Sequence, residues 1–418
     1  MSKPVDVLMI GTGEYTTGYV HGKGSQSDKS KGVVGITLID LRRRLKTSRL
    51  GICGTNGKKF KDIREYMQQA IGNIYKDMDL TLEWWPGDDE CNSEAYIQAL
   101  DSFKAGDACT IFTPDDTHFN ITREAIQRKI HVLVTKPAVK TLEEHRQLYE
   151  EAKKQNVLVM IEVHKRFDPM YSDARDRIQT LGDFSYFYSY MSQPKFQLDT
   201  FRAWAGKSSD ISYYLNSHHI DFHVWALYGR SKPVKVVAMS SVGLASKEFN
   251  IQTEDTITLT VQWLNIQTKT QGTAIYTSSW ISPKTDTHTQ QKFHYMGHKG
   301  EIHIDQAHRG YTMGSDDEGY KSINPLYMKF IPTDGYFSGQ SGYGYRSFES
   351  FIDACSAINS KQSTLEDFDS KLPTISTTFQ VTAILEAGRL SLDNCNAFVD
   401  IVYDGDDSII PKTLKVKK

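Results

Sequence analysis

Val5-Asp6-Val7-Leu8-Met9-Ile10-Gly11-Thr12-Gly13 is the stretch whose reading decides the fold. A short apolar run broken by a single aspartate and ending in two spaced glycines predicts a strand buried on both faces, handing over to a helix through a tight turn. Moving outward, the same punctuation recurs. Strands are predicted over 49–54, 80–85, 108–112, 131–135 and 157–163, with helices over 60–74, 94–104, 120–128 and 142–154 between them. Strands that alternate with helices need crossover connections, so the six strands form a doubly wound parallel sheet.

Beyond Pro169 the rhythm changes. Helical stretches at 171–181 and 209–228 precede long alternating segments at 234–242, 255–264, 272–281 and 291–304, and a late helix is expected at 374–392. Strands that follow one another without helices pair mostly antiparallel. The expected fold class is therefore α/β: an N-terminal Rossmann-type domain over 1–163, then a C-terminal α+β domain over 164–418 with a large, mostly antiparallel sheet. The polar segment Gly22 to Gly32 reads as a mobile surface loop.

Composition narrows the function. The 418 residues carry 49 Lys+Arg against 51 Asp+Glu, a formal charge of −2, so no net field favours nucleic acid as a partner. No apolar window reaches the ~18 residues of a membrane span, and no secretory leader is evident. Five scattered cysteines form neither a disulfide framework nor a zinc knuckle. These features predict a protein of a reducing, cytoplasmic compartment that takes neither nucleic acid nor membrane as a partner.

The candidate chemistry gathers at predicted strand ends, where open α/β sheets bind ligands. Gly11 and Gly13, with Glu14, Tyr15 and Thr16 after them, are the candidate pyrophosphate turn of a dinucleotide site. The third glycine position holds Thr16, so a plain tight turn is the competing reading. Two segments compete for the second strand. One ends in Asp40, which suits NAD. The other runs to Gly54 and continues Thr55-Asn56-Gly57-Lys58-Lys59. The second is preferred because a full amphipathic helix follows it, whereas Asp40 runs into Leu41-Arg42-Arg43-Arg44, a helix C-terminal signature. Hydroxyl, amide and cations without a carboxylate suit a 2′-phosphate, which slightly favours NADP(H) over NAD(H).

Phe112-Thr113-Pro114-Asp115-Asp116-Thr117-His118 follows the fourth predicted strand and Thr135-Lys136-Pro137 the fifth. A lysine placed there with partial burial has its pKa lowered toward proton-transfer range. Farther on, Asn216-Ser217-His218-His219-Ile220-Asp221-Phe222-His223 concentrates three of the thirteen histidines. On a helix His218 and Asp221 share a face. A zinc pair of His219 and His223 lacks an evident third ligand, and buried structural histidines are the plain alternative.

The order of these motifs resembles the glucose-fructose oxidoreductase / inositol dehydrogenase / rhizopine catabolism (Gfo/Idh/MocA) family. Thr113-Pro114 with His118 fits it. His131-Val132-Leu133-Val134-Thr135-Lys136-Pro137 is similar to its H-V-x-x-E-K-P, and Val163-His164-Lys165-Arg166-Phe167-Asp168-Pro169 to its N-x-R-F-x-P. The His218–Asp221 segment resembles D-x-G-x-H-x-x-D, and Gly297-His298-Lys299-Gly300-Glu301-Ile302 resembles a G-x-x-G-x-L turn. Three positions depart from the pattern: Thr135 replaces the glutamate, Thr16 the third glycine, and Tyr214 the aspartate four before the histidine.

The resemblance implies an NAD(P)-dependent oxidoreductase acting on a CH–OH group of a sugar, polyol or sugar derivative. It places Lys136 and His218 on the hydroxyl proton, with Tyr214 beside them. Gly11, Gly13, Glu14, Tyr15, Thr16, Thr55, Asn56, Lys58, Thr113, Pro114, Asp115, His118, Thr135 and Lys136 would meet the cofactor. His164, Arg166, Arg202, Trp204, Asn216, His219 and Asp221 would meet the substrate. No metal is expected, since His219 and His223 lack a third ligand, and the resemblance implies a homodimer or homotetramer through the C-terminal sheet. An NAD-dependent glycoside hydrolase of the same fold and a non-catalytic NAD(P)-binding regulator are the alternatives.

Overall fold

The computed structural model describes residues 3–25, 27, 29–317 and 319–417. By its contacts the chain divides into two units: Met1–Ala138 with Arg146–Phe167 and Pro325–Ser376, and Val139–His145 with Asp168–Asn324 and Thr377–Lys418.

Among the described residues, the first unit holds a six-stranded parallel sheet of β1 (Val5–Ile10), β2 (Thr47–Cys53), β3 (Glu83–Trp85), β4 (Ala108–Ile111), β5 (His131–Thr135) and β6 (Val159–Glu162), in the order β3-β2-β1-β4-β5-β6. The order reverses between β1 and β4, so the carboxyl ends of these two strands flank the switch point at which such sheets bind ligands. Asp40 lies inside helix α1 (Val34–Arg43), as its charge pattern implied, and β2 is the second large strand. Asp40 is buried there, bonded to Arg43, Gln340 and Tyr345.

The chain does not enter α1 directly from β1. One turn of helix (Glu14–Thr17) is followed by a small hairpin, Tyr19–Val20 with Lys23–Gly24, and the helical path resumes only at Val34. Gln26 and Asp28 of the expected loop lie outside the described residues. What is described is anchored. Glu14 accepts from the Ser27 hydroxyl at 2.7 Å and also from Ser25, and Tyr66 donates to the Ser30 carbonyl. The missing third glycine is explained here. A Cβ on Gly35 would stand 2.8 Å from the Thr16 carbonyl, so the close approach that glycine permits is made from the α1 side.

Two expectations change in detail. The helix foreseen over 60–74 is α2 (Phe60–Met67) closed by a π turn at Gln68–Gly72. A long helix unforeseen in the sequence, α3 (Tyr343–Asn359), belongs to the first unit, where Phe348, Phe351, Ile352 and Cys355 fill the core with Val7, Met9, Leu133 and Met160. Burial of that face is what draws 325–376 into the unit that begins the chain.

The second unit is built on an eight-stranded sheet. Its strands are β7 (Phe184–Pro194), β8 (Ser231–Ser241), β9 (Thr256–Asn265), β10 (Gln271–Ser282), β11 (Gln290–Gly297), β12 (Gly300–Asp305), β13 (Val399–Tyr403) and β14 (Pro411–Val416). Their order is β12-β11-β7-β10-β9-β8-β13-β14, antiparallel throughout except for the parallel pair β7–β10. The expected strand over 291–304 is two, folded about His298-Lys299. One face is packed: Phe187 and Phe293 meet Phe222, and Phe293 meets Tyr171, from helices Ser217–Leu227 and Pro169–Ile178. The late helix is Phe379–Asp393. Among the described residues no helix is long and apolar enough to cross a membrane, and the five cysteines are free thiols.

Candidate functional site

In the first unit the predicted residues gather at the carboxyl ends of the strands. Gly11 has φ +111° and donates its N–H to the Cys53 carbonyl at 2.8 Å; a Cβ there would lie 2.1 Å from the Phe112 carbonyl oxygen. Protein packing alone therefore demands glycine at 11. Gly13 is different: a Cβ on it would meet nothing within 4 Å. Its bare backbone is surplus to the protein's own packing and leaves room for a pyrophosphate, so the turn fits a dinucleotide. Tyr15 stacks on Phe112 with ring centroids 5.1 Å apart and accepts from the Tyr327 hydroxyl at 3.0 Å, walling this end of the sheet.

At the end of β2, the Asn56 side chain accepts from the Lys58 N–H at 3.1 Å and starts the turn Gly57–Lys59. The Thr55 carbonyl accepts from the Asn92 N–H. Lys58 and Lys59 are exposed. After β4, Thr117 donates to the Thr113 hydroxyl at 2.7 Å. His118 is fully buried, with Nδ1 2.8 Å from the Pro137 carbonyl and Nε2 2.9 Å from the Thr113 carbonyl. Its ring thus ties the Thr113 loop to the Lys136-Pro137 turn.

Lys136 follows the last residue of β5. It is half-buried, and loss of hydration pulls its ammonium down from 10.5 to about 8. The carboxylates of Asp115 and Glu162 oppose that fall and Lys29 adds to it. Glu162 is the residue that motif reading missed. It closes β6 as the register partner of Thr135, is 2% exposed, and accepts from the Ser347 hydroxyl at 3.1 Å. His164 Nδ1 lies 3.4 Å from its other oxygen, and the His164 ring stands 5.6 Å from both Tyr327 and Tyr343. The carboxylate absent at 135 is therefore supplied one strand over. The signal was a lone glutamate ending an otherwise apolar strand, Leu158-Val159-Met160-Ile161-Glu162. Arg166 is buried in the turn just after it.

In the second unit Tyr214 and His218 lie four residues apart on one continuous helical path, a π turn at Ser212–Asn216 running into Ser217–Leu227, so they share a face. Tyr214 is half-buried and His218 buried. Asp210 caps this path, accepting from the Ser212 and Tyr213 N–H groups at 2.8 and 2.9 Å. Burial raises its carboxyl to about 6.

Other residues predicted for this half have partners within the protein. The Asn216 amide bonds the Ser212 hydroxyl at 3.0 Å and accepts from Ser278. His219 Nε2 shares a 2.8 Å bond with the Tyr171 hydroxyl, and His223 Nδ1 a 2.6 Å bond with Tyr276, so the two rings engage different partners rather than one metal. Arg202 bonds the Phe249 carbonyl and Asp199. Trp204 packs on Phe201, Tyr214 and Trp280 with centroids 4.9 to 5.8 Å away. Asp221 is buried.

Residues 5–163 match the model of the oxidoreductase family with an NAD-binding Rossmann fold. Over 72 residues the chain is 36% identical to scyllo-inositol 2-dehydrogenase (NAD(+)) of Bacillus subtilis, covering 17% of this chain and 21% of that one. Over 118 residues it is 31% identical to the uncharacterized oxidoreductase YdgJ of Escherichia coli, covering 28% and 34%. The chain thus spans about a third or less of these curated relatives. An inositol dehydrogenase homolog from Azotobacter vinelandii, solved with NADH and myo-inositol, superimposes with a TM-score of 0.67 at 16% identity, covering 95% of this chain and 98% of that one. That likeness extends the shared fold across both units.

Proposed function

From the match of residues 5–163 to the NAD-binding domain of the Gfo/Idh/MocA oxidoreductases, we propose that the chain is a member of that family and exchanges a hydride between NAD(P) and a CH–OH carbon of a sugar, polyol or sugar derivative. The observation that carries the proposal is Lys136. It stands at the end of β5 with its ammonium tuned to about 8 between desolvation and two carboxylates, so it can hold or release a hydroxyl proton near neutral pH. The bound nicotinamide supplies the hydride acceptor or donor. Gly11, Gly13, Tyr15 and the Thr113–Asp115 loop form the cofactor's seat. Glu162 keeps Lys136 charged when it carries the proton, and His164 with Glu162 offers that proton a way out. In the second unit, resemblance assigns the handling of a substrate proton to His218, with Tyr214 as its neighbour.

The absence of a carboxylate at the end of β2, with Asp40 sequestered in α1 and Lys58 exposed, supports NADP(H) over NAD(H). Homo-oligomerisation through the second unit's sheet is supported by the face that the helices leave uncovered, where Met239 and Met296 are exposed. A cytoplasmic location accords with the free thiols. The test is turnover on a polyol and sugar panel with each cofactor, read at the nicotinamide absorbance band. Lys136→Met and His218→Ala are expected to lose about 10²–10⁴ in kcat; near-normal kcat in both refutes the proposal.

A further inference from the structure

The edge hairpin of the second unit carries a group of side chains that hydride transfer does not use. In the register of β11 with β12, His294 stands directly opposite His303, and the period of two puts Glu301 on the same face as His303. The alternate positions Phe293, Tyr295 and Ile304 are buried on the helix-covered side, so these three point away from it. His294 Nε2–H donates to Glu301 Oε2 at 3.0 Å, and His303 Nε2 lies 3.8 Å from the same oxygen. The two imidazoles are stacked, with centroids 3.9 Å apart and planes 16° from parallel. All three potential ligand atoms fall within 4.8 Å of one another.

Ordinary ion pairing accounts poorly for this arrangement. The carboxylate engages one ring only: His294 bonds it at 3.0 Å, whereas His303 Nε2, at 3.8 Å, stands beyond hydrogen-bond reach of the same oxygen. A divalent cation held by two neutral rings and the carboxylate satisfies all three. Two imidazole nitrogens and one carboxylate oxygen form a donor set suited to zinc. The two-residue turn and the register fix where the three side chains leave the backbone, and one imidazole turns out of the stack to bring both in-plane Nε2 lone pairs onto the ion.

We propose that His294, Glu301 and His303 bind one zinc ion per chain, with water completing a tetrahedral shell, so that the ion ties the edge strand β12 to β11. Both rings must present a bare Nε2 to the metal. The His294 proton therefore leaves Nε2, and its bond to Glu301 gives way to the ion as zinc enters.

The experiment uses the full chain without a polyhistidine tag, stripped with a chelator and titrated with zinc chloride by calorimetry and by dialysis with metal analysis. One saturable equivalent is expected. His294→Ala and His303→Ala each weaken it at least about tenfold, and Glu301→Gln weakens it less. His308→Ala, a ring outside the trio, leaves affinity unchanged. Far-ultraviolet dichroism and melting in chelator confirm that the variants fold. The proposal is overturned by the absence of a saturable equivalent, by unchanged affinity in the His294→Ala/His303→Ala double variant, or by an equal loss in His308→Ala.

Discussion

Replacing Glu162 by Gln removes a buried negative charge facing Lys136 while keeping the shape and an acceptor for Ser347. Glu162 favours the charged form of Lys136, so its loss lowers the lysine's pKa. An opposite charge at close range is worth about 1–3 pKa units. Taking the lower end, Lys136 falls from about 8 to roughly 7. At pH 8 the protonated fraction drops from about half to roughly a tenth, a differential interaction of about 1.4 kcal/mol. The assay needs no substrate: acylation of Lys136 by acetic anhydride is followed by peptide mass spectrometry across pH 6 to 10, on wild type and variant. Turnover gives a second readout, since the alkaline-rising limb for alcohol oxidation moves down by the same amount if Lys136 is the base. An unmoved labelling curve, or one displaced upward, in a variant with native dichroism shows that Glu162 does not face Lys136 electrostatically and refutes the reasoning.

Further outcomes follow from the same geometry. Gly13→Ala is expected to leave the melting temperature unchanged but weaken cofactor binding in a fluorescence titration. Gly11→Ala, with φ +111° and the Phe112 carbonyl in the way, destabilises the fold by on the order of 1–3 kcal/mol in denaturant unfolding. Lys58→Ala reduces the NADPH:NADH ratio of kcat/KM by about tenfold or more, the worth of a charged hydrogen bond to phosphate; an unchanged ratio removes Lys58 from the 2′-phosphate site. Burial holds the His223 imidazole well below its ordinary 6.5, so the unfolded chain takes up the proton first. Stability is then lost as pH falls below about 6.5, by up to about 1.4 kcal/mol per pH unit, and His223→Gln flattens that limb in urea titrations.

Much of the first unit was legible because its signals are local. An apolar run, a glycine pair and a helical period each report on a few neighbouring residues, and the six strands emerged in sequence order. Lys136 was legible for the same reason, as a lysine at the end of such a run. Less legible were elements whose identity depends on what they pack against. β7 carries five aromatic residues and two serines from Phe184 to Tyr190, a pattern that names neither strand nor helix, although it is an interior strand of its sheet. Trp204, Asn216, His219 and Arg202 have residue types suited to a polyol. Their observed partners are a tryptophan cluster, a helix turn, a tyrosine and a loop carbonyl, and composition says nothing about that choice.

By itself the sequence determined the class of each half, the order of the strands along the chain, the glycine turn and the identity of the lysine, all consequences of short-range periodicity and backbone permissiveness. Only the tertiary structure decided where the missing groups come from. The carboxylate lost at Thr135 returns at Glu162 because parallel register sets the two strand ends side by side. The glycine lost at Thr16 returns at Gly35 because a helix interrupted by an inserted hairpin packs back onto its own first turn. Segment 325–376 joins the unit that begins the chain because its apolar helix needs that core. Each is a pairing between residues distant in sequence, and such pairings are settled by burial and register, which no local stretch of chain encodes.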